Sequence, residues 1–197
     1  TTITSKGMPN SLAVIAAAKK GCLLHSPDTY MNKIAIGNGY SNDVIDLDAS
    51  VKDNIKSLAD AKKVKPSDIS ACVLERDRHS EIIESLREIG SKVILIPDGD
   101  VAGVMMTSQE EIDVDIYFGT GGAPEGVLAA AALQCIGGQM QTRLVIRNDD
   151  EKKRAEKAGI KDLEKKYYID DLASGDIIFV ATGVTEGTMV KGVKKYS

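Results

Sequence analysis

An α/β fold is what this sequence predicts, with antiparallel strands first and a mostly parallel sheet after them, and three observations predict it. The first forty residues hold short β-capable runs separated by turn chemistry, and from Ser50 onward helical and strand patterns alternate. Several of those strand patterns also run out at their C-terminal ends into polar or glycine-bearing segments. In open α/β sheets such ends share one edge, and ligands settle in the crevice there.

Taken in order, Ser11 to Ala18 is small, apolar and β-capable, Lys19-Lys20-Gly21 turns, and Cys22-Leu23-Leu24 reads as a second strand. Turn chemistry at Ser26-Pro27-Asp28 leads to a third, Met31 to Gly37. Ser50 caps a helix whose Val51, Ile55, Leu58 and Ala59 share one face, and it closes near Lys63 before Pro66. Ile69 to Leu74 is a strand, Ser80 to Gly90 a helix with Ile82, Ile83, Leu86 and Ile89 inward, and Val93 to Ile96 a buried strand. A short helix over Val101 to Met106 precedes a strand over Val114 to Phe118. Next come a glycine loop, Gly119 to Gly122, and a helix opened by Pro124 and stopped by Gly137-Gly138. Lys152 to Ala158 is a charged helix with little to bury, and Ile177 to Ala181 is the last strand.

Composition bounds the partners. The 197 residues are 43% hydrophobic and 27% charged, ordinary for a globular chain with one substantial core or two small ones. A net charge of −4 argues against a nucleic-acid surface, which needs clustered uncompensated Lys and Arg. Cys22, Cys72 and Cys135 lie far apart in apolar runs, as reduced core thiols do, and point to the cytoplasm. No run approaches the length of a membrane span, and the start is not a secretory pattern. A chain opening on Thr1-Thr2 without Met is expected to be a piece of something longer.

The candidate chemistry sits in the strand-end segments. Glu125, in the first helical turn after the glycines, favours the helix dipole or faces a bound cation, and spacing leaves both open. Arg76, Arg78 and His79 bring donors that suit a phosphate, or pair with Glu75, Asp77 and Glu81 at the surface. Asp98-Gly99-Asp100 is either a turn and cap or a carboxylate pair for sugar hydroxyls or a metal. Thr182 to Gly187 forms a fourth segment expected on the same rim. His25 reads as a loop or edge residue rather than a catalytic base, Met105-Met106 as core, and Tyr30 as a phenol open to a ligand or an amphipathic tyrosine at a strand start. The Lys-Ser or Lys-Thr of a nucleotide phosphate loop is missing after the glycines, and no Gly-x-Gly-x-x-Gly run marks a dehydrogenase.

Five motifs together carry a resemblance: Gly7-Met8-Pro9-Asn10-Ser11, Ser26-Pro27-Asp28-Thr29-Tyr30-Met31, Arg76-Asp77-Arg78-His79, Ile96-Pro97-Asp98-Gly99-Asp100 and Gly121-Gly122-Ala123-Pro124-Glu125-Gly126. In this order they resemble the class II fructose-1,6-bisphosphatases, from Thr1 to about Gly192. The resemblance implies a layered, inositol monophosphatase-like sugar-phosphatase fold with its N-terminal part absent. Residues 1–48 would be the remainder of an N-terminal α+β region and 49–197 a C-terminal α/β substrate-binding domain. It implies hydrolysis of the 1-phosphate of fructose 1,6-bisphosphate in gluconeogenesis, with sedoheptulose 1,7-bisphosphate as a further substrate, Mn2+ or Mg2+ as cofactor, and a cytoplasmic homo-oligomer, dimer or tetramer.

Carried over position by position, the resemblance makes Glu125 a metal ligand and Thr1 the catalytic hydroxyl. Tyr30, Arg76, Asp77, Arg78, Asp98, Gly99, Asp100 and Gly122 become substrate-binding. The family's other acidic metal ligands would precede Thr1, so the chain alone is expected to turn over weakly or not at all, since metal-assisted hydrolysis needs several fixed carboxylates. The sequence also looks short between Arg147 and Lys157. A non-catalytic sugar-phosphate or nucleotide sensor on the same sheet is the alternative.

Overall fold

In the computed structural model, which describes residues 2–194, the elements follow in chain order. They begin with α1 (Thr2–Ser5), β1 (Leu12–Ala18), β2 (Tyr30–Ile36), α2 (Val51–Lys62), β3 (Ser70–Leu74), α3 (Ser80–Glu88) and β4 (Lys92–Ile96). They continue with α4 (Asp100–Met106), β5 (Ile116–Gly122), α5 (Ala123–Ile136), β6 (Gln139–Val145), α6 (Asp149–Lys157), β7 (Tyr167–Tyr168), α7 (Ile169–Leu172) and β8 (Ile177–Gly183). Local chemistry explains the boundaries. The Ser50 hydroxyl accepts from Asp53 N at 3.1 Å to open α2, and Lys63, left-handed at φ 58, ends it. Pro124 sits in the first turn of α5, where its missing N–H leaves no bond unmade, and Gly137 at φ 86 closes that helix.

One six-stranded sheet has the order β4-β3-β5-β2-β6-β7, and β1 and β8 form a separate two-stranded ribbon. β3 runs parallel to β4 and β5, whereas β5-β2, β2-β6 and β6-β7 are antiparallel, so the expectation of a mostly parallel sheet is corrected to a mixed one. The cause is β2, an early strand that inserts between two late ones. The early strands are antiparallel as expected, but to distant partners: β1 pairs with β8 from Leu12↔Gly183 to Ala18↔Ile177. Cys22 to Leu24 is not a strand; Leu23 makes one isolated bridge to Ala173.

β6 is a strand the sequence reading leaves out. Its apolar Met140 and Leu144 are buried, and so is Gln141, whose amide accepts from Leu47 N at 2.8 Å and donates to Ile45 O at 2.7 Å. A buried glutamine satisfied by a loop breaks the apolar alternation that marks a strand.

The sheet is covered on both faces. Ile34, Ile36, Ala71, Val73, Ile116 and Phe118 pack with Ile55, Leu58 and Leu86 of α2 and α3. On the other face Met31, Ala35, Cys72 and Tyr117 pack with α4 and α5. The ribbon lies beyond α5, its inner Val14, Phe179 and Ala181 against Val101, Met105 and Ala132. Sandwiched in this way, α5 is buried through Ala129–Leu133, and small side chains let both layers approach it. Enlarging one of those alanines would overpack the site by about 1–3 kcal/mol. The ribbon's outer face leaves Ile15, Ile178 and Val180 exposed. Of the cysteines only Cys72 is a core thiol, its pKa pushed up to about 12 by burial; Cys22 is half-buried and Cys135 exposed, a correction to the sequence reading. No helix among the described residues is long and apolar enough to cross a membrane.

Candidate active site

Because β3, β4 and β5 are parallel, Leu74, Ile96 and Gly122 end at one rim of the sheet. β6 runs in the same sense, being antiparallel to β2, and β2 begins at that rim with Tyr30. The register sets Tyr30 opposite Gly122 on one side and Val145 on the other. A cleft of about 680 Å³ opens there, lined by Tyr30, Arg76, Arg78, Asp98, Gly99, Asp100, Gly122 and Glu125, and also by Asp28, Arg147 and Arg154. That volume lies within the roughly 300–1,000 Å³ of small-molecule pockets.

The glycines are not a loop. Gly119 to Gly122 are the last four residues of β5, paired to Lys33 through Tyr30, and Ala123 follows as the first residue of α5. They serve close approach instead. A Cβ on Gly121 would collide with the Asp100 carboxylate, and one on Gly122 with the Glu125 carboxylate. Two acidic groups therefore rest directly on the backbone at the end of β5.

Lys33 holds this end together. Its side chain is fully buried; the ammonium is ion-paired with Asp100 and donates to the Gly122 carbonyl at 2.8 Å. Burial lowers its pKa below the ordinary lysine value, and the Asp100 charge works against that shift. The other Asp100 oxygen accepts from Val101 N at 3.0 Å, so this carboxylate is largely committed inside the protein. Asp98 accepts from Gly99 N at 3.0 Å and lies 3.7 Å from the Arg76 guanidinium. Gly99, at φ 89, supplies the left-handed turn before α4.

Arg76 and Arg78 do not pair with Glu75, Asp77 or Glu81. Arg76 donates to Pro97 O at 2.6 Å and Glu75 O at 2.8 Å, and Arg78 grips Thr120 O with Nε at 3.0 Å and Nη2 at 2.7 Å. Asp77 is brought to a neighbouring depression beside Ser80 and Arg87 rather than to the cleft. His79 is turned inward and fully buried, its Nδ1–H donating to Leu74 O at 2.8 Å while Nε2 accepts from Thr120 N at 2.8 Å. Those partners fix a neutral imidazole, and burial depresses its pKa. It braces the arginine loop instead of offering a donor to a phosphate.

The segment Thr182 to Gly187 leaves the ribbon, not the six-stranded sheet, so it does not join the rim. It braces the cleft from behind: Thr185 accepts from Ser11 N at 3.0 Å and donates to Met8 O at 2.8 Å. Arg147, at the end of β6, takes its place at the rim. Its guanidinium lies 4.3 Å from the Tyr30 ring centroid, and that of Arg78 lies 5.1 Å from the same ring. Thr1 lies outside the described residues.

Lys33 and Arg147 are among the residues that sequence reasoning missed, as are the cleft-lining Asp28 and Arg154. A lysine inside the apolar run Met31 to Ile36 was a usable signal, since a lysine buried between two layers requires an anionic partner. Arg147 had none once β6 went unread.

A divalent cation fits the described residues incompletely. Asp100 is bound to Lys33 and Asp98 faces Arg76, which leaves Glu125 as a single carboxylate over Gly122. Among the described residues no three His, Cys, Asp or Glu side chains converge as a metal cluster, so these residues by themselves do not hold a catalytic ion.

Known proteins are similar to this chain along its length. The family model of bacterial fructose-1,6-bisphosphatase, glpX-encoded, matches residues 1–197. A class 2 fructose-1,6-bisphosphatase of Haemophilus influenzae is 36% identical over 209 residues, covering 99% of this chain and 62% of that protein. Fructose-1,6-bisphosphatase 1 class 2 of Escherichia coli K12 is 36% identical over 208 residues, with the same two coverages of 99% and 62%. This chain thus spans under two thirds of the length of the curated relatives it matches. With a match along all of its residues and that level of identity, the chain belongs to the class 2 fructose-1,6-bisphosphatase family.

Proposed function

We propose that the cleft is the sugar-phosphate site of a hydrolase that removes the 1-phosphate of fructose 1,6-bisphosphate. The observation that carries this reading is the meeting, on one rim, of guanidinium donors on the loop after β3, the Asp98–Asp100 segment after β4, and Glu125 on the turn that follows β5. Guanidinium groups bind phosphate bidentately, and carboxylates accept from sugar hydroxyls, so the rim suits a ligand that is both anionic and hydroxylated. In this reading Arg76 and Arg78 bind phosphate, Asp98 and the exposed part of Asp100 orient the sugar, and Tyr30 stacks along it. Gly122 lines the substrate pocket at the end of β5. Glu125 would be one ligand of Mn2+ or Mg2+ at the scissile phosphate, the remaining ligands coming from outside the described residues, and Thr1 would help position the attacking water.

The test is release of inorganic phosphate from fructose 1,6-bisphosphate by the full-length protein that contains this chain, with and without chelator. Release that stops with chelator is expected, along with a fall of at least about 100-fold for Glu125→Gln, the loss expected when a group acting only on the transition state is removed. Near-normal turnover of that variant would remove Glu125 from the site. Sugar-phosphate binding that ignores chelator, without any phosphate release, would instead establish the sensor reading. Sedoheptulose 1,7-bisphosphate in the same assay decides the breadth of the substrate range, and sedimentation decides whether the protein is a dimer or a tetramer.

A further inference from the structure

We propose that Arg147, stacked on Tyr30 and fixed by Glu151, binds the phosphate lying farther from Glu125 and so lets the site tell sugar phosphates apart by the end that is phosphorylated. The proposal rests on the sugar-bisphosphate reading above and adds a residue which that reading does not use.

A ligand phosphorylated at both ends needs two anion pockets on one rim with room for the sugar between them. The register provides that spacing. Gly122, Tyr30 and Val145 stand abreast on three neighbouring strands, so the end of β5 and the end of β6 are two interstrand steps apart, about 10 Å. Glu125 follows the first of these ends and Arg147 the second.

Arg147 is also held still. Its Nε donates to Glu151 at 2.8 Å, Nη2 pairs with the same carboxylate, and its backbone N–H donates to the other Glu151 oxygen at 2.8 Å. Glu151 is buried, its side chain only 1% exposed, and so acts as a fixed strut. The ring of Tyr30 supports the guanidinium plane from the side. Nε and Nη2 are taken by Glu151, and the Tyr30 side chain is a further hydrogen-bonding neighbour of the guanidinium, which lines the cleft. Arg78, near the same ring, is arranged alike, with Nε and Nη2 on Thr120 O.

Two like charges gathered at one aromatic ring repel each other, and a dianion between them turns that repulsion into charge-assisted hydrogen bonding. An immobilised guanidinium also loses little freedom on binding.

The experiment is calorimetric titration of the protein, with chelator present to prevent turnover, using fructose 6-phosphate and fructose 1-phosphate. The two ligands carry equal charge at opposite ends of one sugar. Arg147→Gln is expected to weaken fructose 6-phosphate by about 10- to 100-fold, the effect of one charge-assisted contact, and to leave fructose 1-phosphate within about 2-fold. Arg147→Lys should restore part of the lost affinity, with circular dichroism unchanged in both variants. Equal weakening of both ligands, or no weakening of either, would overturn the assignment while leaving the sugar-phosphate reading intact. Failure of the unaltered protein to bind either ligand would overturn that reading, and the clamp with it.

Discussion

The Lys33 ammonium is bonded at once to the Asp100 carboxylate and to the Gly122 carbonyl, so one buried cation joins the first residue of α4 to the last residue of β5. Both partners face the cleft on their other side. The positions of Asp100 and of the helical turn carrying Glu125 are therefore set from beneath, by a fully buried side chain that is not part of the cleft lining.

Removing that cation leaves a carboxylate in a low-dielectric place without its counter-charge. Lys33→Met should lower stability by about 3–5 kcal/mol, the usual consequence of orphaning one half of a buried pair. Adding Asp100→Asn should return more than half of the loss, because the residual charge disappears. Urea unfolding of the two single variants and the double variant measures this; additivity within about 0.5 kcal/mol would show that the two residues are not coupled.

Adjacent glycines predict opposite phenotypes. Gly122, at φ −57 and ψ 139, has a backbone conformation any residue adopts, and the atom a methyl group would strike belongs to exposed Glu125, which can swing away. Gly122→Ala should keep stability within about 0.5 kcal/mol while displacing the Glu125 carboxylate and reducing phosphate release. At Gly121 the obstacle is Asp100, which Lys33 holds in place, so Gly121→Ala should cost about 1–3 kcal/mol as overpacking. Paired unfolding curves and phosphate assays separate the two effects, and a stable Gly121→Ala protein would show that Asp100 is free to move.

That contrast also shows what the sequence discloses and what it hides. The motif from Gly119 to Glu125 stands out as a place that something approaches closely, and this is so, but the approaching groups are the protein's own carboxylates and the segment is strand rather than loop. Helices were legible because their signals are local: Ser50 caps, Lys63 and Gly137 stop, and Leu86 recurs on one face. Strand pairing was not, because it joins Leu12–Ala18 to Ile177–Gly183 and seats Tyr30–Ile36 between two later strands, and no short window of sequence records such partners. The rim formed by β3, β4 and β5 was readable from three polar strand ends. Its fourth member, Arg147, was hidden behind Gln139, Gln141 and Arg143, whose polarity disguises β6.

His79 links acidity to the arginine loop. Its imidazole is buried with both nitrogens occupied, and Nε2 can accept the Thr120 N–H only while unprotonated. The native pKa is depressed below 6.5, so between 6.5 and that lower value the unfolded chain takes up the proton first. The stability this residue contributes is therefore complete above about pH 6.5 and drains away as the pH falls toward the native value. Thr120 is also the residue whose carbonyl Arg78 grips, so loss of the Nε2 bond loosens the anchor of a cleft guanidinium as well as the strand. Thermal unfolding from pH 8 to pH 5 should show the melting temperature falling over the lower half of the range. His79→Gln, which has no proton to gain there, should be less stable at pH 8 but flatter with pH. Equal slopes for the two proteins would place the acid-sensitive group elsewhere.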